Sequence, residues 1–306
     1  MSKTKRATYV IGWILGAVAL LISLLISFGE IFGLGFVPTW EEIFAAVGLR
    51  PQENRSFVAV VDVGDADCTV VYSEGVCAVI DAGDMGDNGA EVKRFLQSRN
   101  IKQIDYLVLT HYHSDHIGGA KTLVESFPVG AVLLPGYTDG QEDAELVQTT
   151  LNAINAAGIP CEIAAEGKTF TVGEFRFKVL MSLVDTNSEN DRSTILAAEK
   201  GGVSLLFMSD LSSKGERMLL EHYPDLKADF LRVGHHGSKG STSEELVRTV
   251  CPKYAAISCG SKWASVPSAE VVARLEEAGA DVKRTDMNSH IVYYFEKDGV
   301  VVETQR

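Results

Sequence analysis

The densest group of metal-ligating side chains lies in the run THYHSDHIGG, which starts at Thr110. Three of the chain's seven histidines fall within six residues here, beside one aspartate. Imidazole and carboxylate donors together suit Zn²⁺, and Mn²⁺ also accepts them. The spacing predicts that His111 and His113 point one way while Asp115 and His116 reach a neighbouring position. The loop is therefore a candidate site for two cations, with a charged surface loop as the alternative.

Two further candidates come directly after predicted strands in the second half of the chain. Asp210 ends the run VSLLFMSD, where a carboxylate could bridge two cations; the alternative is a helix N-cap. His235 and His236 follow the run ADFLRVG, and one of them would supply the last ligand. A core or capping role is the alternative for this pair.

Strands and helices alternate from about residue 56 onward, and they must position these side chains. The run IDYLVLT at 104–110 predicts a buried strand, so the His-rich loop emerges at its carboxyl end, where open sheets place their sites. Each half of the chain mixes strands and then helices. This order predicts an α/β sandwich of two mixed sheets with helices on the outer faces.

The same residues carry a resemblance to a known superfamily. The HxHxDH pattern resembles the signature of metallo-β-lactamase-fold hydrolases, which implies a metallo-β-lactamase-like αββα sandwich. From about Phe57 to the C-terminus the chain is similar to one branch, the hydrolase domain of ComEC-type DNA-uptake proteins. The motifs that carry this similarity are DVGDAD at 62–67, IDAG at 80–83, NDRSTIL at 190–196, MSDL at 208–211, VGHHGSK at 233–239 and RTD at 284–286.

The resemblance implies a role for each matching residue. The metal ligands would be His111, His113, Asp115, His116, Asp210 and His236, with His236 favoured over its neighbour. The residues taking part in catalysis would be Asp115, Asp210 and His235, the last by donating to the substrate. The substrate contacts would be Asn190, Ser193, Ser238 and Lys239. Asp62 and Asp81 would support the ligands from behind, with an ordinary turn residue as the alternative for Asp81.

The sequence departs from these patterns at several positions. No histidine lies between His116 and His222, so the third imidazole of a β-lactamase-type first site is missing, as in the ComEC branch. An open coordination position would accept water or a phosphate oxygen. Asp65 replaces a glutamine of the branch, and Val266 stands where the branch has a histidine before proline. Residues 262–263 could take over that contact.

The predicted activity is phosphodiester hydrolysis by a hydroxide held between two divalent cations. The substrate would be DNA or a phosphate-bearing polymer of the cell envelope. The alternatives are a ComEC-like DNA nuclease, a hydrolase of a non-phosphate ester or lactone, and a non-catalytic metal-binding surface module. A formal net charge of −13 argues against a broad nucleic-acid surface, and 46% apolar residues exclude a disordered chain.

Residues 7–29 are 23 consecutive uncharged, mostly apolar residues. As a helix they would extend about 34 Å, enough to cross a hydrocarbon core of roughly 30 Å. Three basic residues precede the run, which predicts a cytoplasmic N-terminus and an extracellular remainder. A cleaved signal peptide is the alternative, although no A-x-A-like site follows. We therefore predict a single-pass protein of the cell membrane, with a tail and anchor at 1–29, a juxtamembrane stalk at 30–55 and a hydrolase domain at 56–306.

Overall fold

A computed structural model describes residues 16–28, 37–38, 55–137, 142–182, 186, 188–297 and 299–306. The chain divides into two compact units, and the smaller one contains helix α1, residues 16–28. Within the described ranges, no helix is both long and apolar enough to span a bilayer. The other residues of the predicted anchor at 7–29, and most of the predicted stalk, lie outside the described residues.

The larger unit contains two mixed β-sheets. The strands of the first sheet are β1 (Phe57–Val60), β2 (Thr69–Ser73), β3 (Val76–Ile80), β4 (Ile104–Val108), β5 (Val129–Leu134), β6 (Cys161–Ile163), β14 (Ile291–Glu296) and β15 (Gly299–Thr304). Their order across the sheet is β15-β14-β1-β2-β3-β4-β5-β6. Strands β3 to β6 are parallel, and the other neighbours are antiparallel. The first sheet therefore combines the earliest and the last strands of the chain.

The second sheet has seven strands. They are β7 (Thr169–Val172), β8 (Phe175–Ser182), β9 (Thr194–Lys200), β10 (Val203–Phe207), β11 (Phe230–Arg232), β12 (Tyr254–Ile257) and β13 (Asp281–Arg284). Their order is β13-β12-β11-β10-β9-β8-β7, parallel from β10 to β13 and antiparallel from β7 to β10. Gly201 and Gly202 turn between β9 and β10 with φ of 59° and 82°, a backbone region that favours glycine.

The period-two pattern of the strands explains how the core is divided. Val58 and Val60 of β1 point into the apolar core with Phe177 and Phe207 of the second sheet, whose rings stack 5.8 Å apart. The alternate residue Phe57 points to the opposite face of the sheet and meets Phe95 edge-on at 6.4 Å. Strands buried on both faces read as continuous apolar runs, as these do in the sequence.

Helices lie against the outer faces of the sheets. They are α2 (Ala90–Ser98), α3 (Ser114–Ile117), α4 (Ala120–Ser126), α5 (Ala144–Ala156), α6 (Ser213–His222), α7 (Glu244–Val250), α8 (Ala269–Glu277) and α9 (Thr285–Asn288). Leu219 of α6, Leu246 of α7 and Val271 of α8 share one apolar cluster with Leu231 of the second sheet. The predicted α/β class with two mixed sheets is therefore confirmed.

Candidate metal centre

Four strand ends meet at one edge of the two sheets. In the first sheet β3 and β4 run parallel, and Asp81, just past β3, donates its N–H to the Val108 carbonyl at 2.9 Å. The His-rich loop follows β4. In the second sheet β10 and β11 run parallel, so Asp210 and the pair His235–His236 emerge side by side. All six predicted ligands therefore come from loops at the carboxyl ends of parallel strands.

Gly118 and Gly119 let the His-rich loop close on the loop after β3, because a Cβ on Gly118 would lie 2.2 Å from the Met85 backbone nitrogen. His113 is extended, with φ −65° and ψ 149°, and α3 then begins, carrying Asp115 and His116 in its single turn. A Cβ on Gly119 would lie 2.2 Å from the Ala82 carbonyl oxygen, so no larger residue fits there. The same close approach allows Ala82 N–H to donate to the His116 carbonyl at 2.7 Å.

One group of potential ligands comprises Asp115, His116, Asp210 and His236, with ligand atoms within 4.8 Å of one another. His116 Nε2 lies 3.3 Å from Asp210 Oδ1. His236 Nε2 lies 3.2 Å from Asp115 Oδ2 and 3.8 Å from Asp210 Oδ2. The two imidazoles and two carboxylates therefore face a common point.

A second group comprises His111, His113 and Asp210. His111 Nε2 and His113 Nδ1 lie 3.1 Å apart, so these two nitrogens also face a common point. Asp210 belongs to both groups. The structure thus brings together all six predicted ligands and places Asp210 where one carboxylate serves both sets.

The side chains at this point fit a pair of divalent cations. His116 Nε2 and Asp210 Oδ1 are buried and lie 3.3 Å apart, but neither makes a well-oriented hydrogen bond to a described residue. A buried polar atom without a partner costs free energy, and a cation bound by both atoms would remove that cost. Imidazole and carboxylate donors are also the set that first-row divalent metals accept.

Electrostatics keep the carboxylates of this site ionised. Burial by itself would raise the pKa of Asp210, but His116 and His236 hold it well below its usual range. The pKa of Asp115 is likewise lowered, since His116 and His236 outweigh its burial. Burial would lower the pKa of His116, yet Asp210, Asp115 and Asp81 raise it well above the usual value. The site therefore attracts positive charge into a dry interior.

The nitrogens that face away from the common points have partners of their own. His116 Nδ1 donates to Asp81 Oδ2 at 2.8 Å, and His236 Nδ1 donates to the Ser258 carbonyl at 3.1 Å. His111 Nδ1 lies 3.3 Å from the Thr110 hydroxyl and 3.4 Å from the Ser209 hydroxyl. Such partners fix the ring orientation and leave the other nitrogen for a metal.

Asp81 is itself held in place by the His-rich loop. Its Oδ1 accepts Thr110 N–H at 2.9 Å, and its Oδ2 accepts the Thr110 hydroxyl at 2.7 Å. Burial raises the pKa of Asp81 despite the nearby His116. The backbone of Asp81 has a φ of 58°, and Ser209, His235 and His236 are at 45°, 48° and 53°. Strained residues of this kind cluster where the surrounding structure must aim side chains.

The predicted catalytic and substrate-contacting residues occupy different depths. His235 lies at the mouth of the site, with 34% of its side chain exposed and Nε2 3.8 Å from Asp210 Oδ2. Asn190 Nδ2 lies 3.5 Å from that same His235 nitrogen. Ser193 is fully buried behind Asp210, and its hydroxyl oxygen accepts Asp210 N–H at 3.3 Å.

The other predicted residues lie further from the ligands. Ser238 Oγ accepts Gly240 N–H at 3.4 Å, and the exposed Lys239 ammonium pairs with Glu270 at 2.8 Å. Asp62 accepts Gly64 N–H at 3.3 Å and belongs to none of the ligand groups formed by the described residues.

Three acidic residues near the site have no role assigned from the sequence. Asp67 groups with Asp81 and His116, and its carboxylate pairs with the buried Arg232 guanidinium. Asp65 accepts the N–H groups of residues 262 and 263 at 2.9 and 3.3 Å. Glu189 is buried and lies 3.7 Å from His113 Nε2. The sequence signal for these residues was their proximity to motifs: Asp65 and Asp67 lie within DVGDAD, and Glu189 directly precedes NDRS.

Residue 263 brings an aromatic ring to the site. Trp263 meets the buried His236 ring edge-on, with centroids 5.4 Å apart, and 42% of the tryptophan is exposed. Val266 N–H donates to the Trp263 carbonyl at 2.9 Å, within the same loop. The position that holds histidine in the ComEC branch therefore lies three residues from an aromatic side chain that contacts a candidate ligand.

A two-sheet α/β sandwich with a His- and Asp-lined site at its strand ends defines a class of metal-dependent hydrolases. The family model described as "Metallo-beta-lactamase superfamily" matches residues 61–261. The chain belongs to the metallo-beta-lactamase superfamily.

Within that superfamily the chain is similar to competence proteins. It is 36% identical over 204 residues to "ComE operon protein 3" of Bacillus subtilis, which covers 66% of this chain and 26% of that protein. It is 27% identical over 284 residues to "Competence protein ComA" of Neisseria gonorrhoeae, covering 90% of this chain and 38% of that protein. The similarity to ComEC-type hydrolase domains is therefore confirmed, although the chain spans less than two fifths of these relatives.

The fold also has counterparts among solved structures. CmlA, a diiron β-hydroxylase from Streptomyces venezuelae, superposes with a TM-score of 0.52 at 17% identity. The match covers 79% of this chain and 55% of CmlA. It shows that the two chains share a fold.

Proposed function

We propose that the protein is a membrane-anchored extracellular phosphodiesterase that uses two divalent cations. Zn²⁺ is the preferred cation and Mn²⁺ the second choice, because imidazole and carboxylate donors suit both. The observation that carries the proposal is the position of Asp210, which belongs to both groups of ligands. When bound, two cations would supply charge neutralisation for a phosphate and an activated water.

The ligand groups divide between the two cations. His111 and His113 would hold one cation, and the larger group would hold the other, namely Asp115, His116 and His236. Asp210 would contribute to both. Because the six side chains come from both sheets, the cations would lie where a substrate can approach from the open edge.

His235 is the residue suited to act on the substrate. Its Nε2 faces the mouth of the site beside Asp210 Oδ2, and the side chain is one-third exposed. Asn190 Nδ2 lies 3.5 Å from this nitrogen, and because an amide nitrogen cannot accept a hydrogen bond, a proton on Nε2 would remain available to the substrate. An imidazole N–H placed there would donate to a phosphate oxygen as negative charge develops.

The contacts of the other predicted residues refine their proposed roles. Ser193 is fully buried and holds Asp210 N–H, which supports a role in orienting that carboxylate. Ser238 and Lys239 are retained as proposed phosphate contacts. For Lys239 that role requires its ammonium to leave Glu270, an exposed pair that costs little to separate.

The choice of substrate rests on charge and on similarity. A net charge of −13 disfavours a long polyanion held along the protein surface, which supports a small phosphodiester or a short stretch of envelope polymer. The similarity to proteins named for competence supports DNA. A substrate panel separates these two possibilities.

Hydrolysis of bis-p-nitrophenyl phosphate tests the proposal. The purified protein should be active with Zn²⁺ or Mn²⁺, inactive after exhaustive chelation, and active again when metal is restored. Single-stranded DNA, a lactone and a β-lactam complete the panel. His235→Gln should lower activity with metal content unchanged, and His222→Gln, which changes an exposed histidine at the end of α6, is the matched control. Full activity without metal would refute the proposal.

The proposed anchor requires a separate test in cells. The apolar run at 7–29 and its basic flank support a cytoplasmic N-terminus and an extracellular catalytic domain. Protease added to intact cells should remove the domain and leave the anchor in the membrane. Protection in intact cells would place the domain in the cytoplasm, and recovery from the medium with an N-terminus near residue 30 would indicate secretion.

A further inference from the structure

One ligand imidazole differs from the other three in the partner of its outward nitrogen. His111, His116 and His236 each have an oxygen within 3.4 Å of that nitrogen. His113 Nε2 is buried and has no hydrogen-bond partner among the described residues. Two glutamate oxygens approach it, Glu189 Oε2 at 3.7 Å and Glu142 Oε2 at 3.8 Å.

We propose that Glu189 is the positioning residue for His113. Its carboxylate accepts a hydrogen bond from Nε2–H, so the ring keeps its lone pair at Nδ1, the nitrogen that faces His111. A carboxylate acceptor also makes the imidazole more electron-rich and strengthens its bond to a metal. The inference rests on the metal binding of the proposed function, but not on any particular substrate.

Glu189 is fixed where this role requires it. Only 7% of the residue is exposed. The Tyr137 hydroxyl donates to Oε1 at 2.9 Å, and Glu142 N–H donates to Oε2 at 2.8 Å. The Tyr137 ring is held in turn by the Arg192 guanidinium, 4.8 Å above its centre. The carboxylate therefore faces His113 from a fixed position, 3.7 Å from Nε2, and the proposed hydrogen bond requires the imidazole to move towards it.

The competing assignment is a separate cation site formed by His113, Glu142 and Glu189, whose ligand atoms also cluster. A neutral imidazole has one lone pair. The 3.1 Å approach of Nδ1 to His111 Nε2 commits that lone pair to the dinuclear site, and Nε2 must then carry the proton. The Glu142 side chain is also 76% exposed, so it gives a cation little shielding from water.

The two glutamates provide a matched pair of variants. Glu189→Gln and Glu142→Gln each remove one negative charge at nearly the same distance from Nε2, but only Glu189 is buried and oriented. Zn²⁺ affinity is measured by competition with a chromophoric chelator on the full chain. Glu189→Gln should weaken one of two bound equivalents by about 10–100-fold. Glu142→Gln should leave both affinities within about twofold of wild type, since exposed charge pairs contribute little.

A second readout follows the proton itself. In the Zn²⁺-loaded protein, ¹⁵N NMR should show a slowly exchanging Nε2–H on His113, which shifts in Glu189→Gln and stays unchanged in Glu142→Gln. Equal losses of Zn²⁺ affinity in both variants would mean that the loss of one negative charge explains the change without a specific hydrogen bond, and would overturn the proposal. Wild-type affinity and an unshifted Nε2–H in Glu189→Gln would also overturn it.

If Glu189→Gln does not fold, Tyr137→Phe provides a second variant for the same test. It removes only the hydroxyl that holds Glu189 Oε1, and it should weaken the same metal equivalent to a smaller extent. An unchanged affinity in Tyr137→Phe, with Glu189→Gln unfolded, would count against the proposal. Because metal affinity is measured without substrate, failure of phosphodiester hydrolysis and failure of this inference are distinguishable.

Discussion

Arg232→Met should cost about 3–5 kcal/mol of the free energy of unfolding, the usual cost of breaking a buried ion pair. The Arg232 guanidinium is 2% exposed, and it pairs with the Asp67 carboxylate, itself 4% exposed. It also donates to the Val233 carbonyl at 2.6 Å. Without the guanidinium, a buried carboxylate would remain beside Asp81 and would lose the cation with which it pairs.

The expected loss of stability is large because Arg232→Met leaves the Asp67 carboxylate buried. Asp67 N–H donates to the Asp115 carbonyl at 2.9 Å, so the Asp67 backbone cannot move its carboxylate outward without disturbing the His-rich loop. For a domain of this size each kcal/mol shifts the unfolding midpoint by roughly 2–4 °C, so Arg232→Met should lower it by roughly 6–20 °C. Asp67→Asn together with Arg232→Met removes both charges and should recover at least half of the loss.

Chemical denaturation in excess chelator measures these differences without a contribution from bound metal. Arg176→Met is the matched control, because its guanidinium is 73% exposed and only 3.5 Å from Glu199. That variant should cost about 0–1 kcal/mol, as exposed pairs do. A loss below about 1 kcal/mol in Arg232→Met, or a double variant no more stable than the single one, would refute the argument from buried charge.

Three further predictions concern the metal centre. Asp210→Asn should lose most bound metal and abolish phosphodiester hydrolysis, as metal analysis and bis-p-nitrophenyl phosphate turnover will show, because this carboxylate belongs to both ligand groups. Val266→His should leave phosphodiesterase activity unchanged or raise it; a sharp loss with intact folding would mean that the pocket accommodates a different ligand. Free Zn²⁺ at 100 times its dissociation constant should stabilise the wild type by about 2.7 kcal/mol relative to chelator, measured as a shift of the denaturation curve; coincident curves would exclude metal binding to the folded state.

The grouping of the six ligands was predictable because short-range pattern and strand ends determine it. HxHxDH places four ligands within one loop and turn, and apolar runs before Asp210 and His236 mark the strands that carry them. Parallel pairing then brings those strand ends to one edge. The first strand, β1, ends at Val60, and the chain turns at Gly64 with a φ of 75°.

The supports behind the ligands were not predictable in the same way. Asp67 and Arg232 are 165 positions apart in the sequence, and neither stands out from an ordinary charged residue. Glu189 lies far from His113 in the sequence, yet its Oε2 comes within 3.7 Å of His113 Nε2. Contacts of this kind depend on tertiary packing, which local pattern does not encode.

The position of β1 in the first sheet has a consequence for biosynthesis. One edge of β1 pairs with β2 as soon as the hairpin region is made, but the other pairs with β14, where Phe57 lies opposite Tyr294. A ribosome reaches β14 only after it has made every other strand of both sheets except β15. Until then β1 presents an open, apolar hydrogen-bonding edge, the kind that recruits other strands. Newly made chains therefore depend on protection of that edge until β14 has been made, and truncation before residue 291 should yield insoluble protein rather than a smaller folded one.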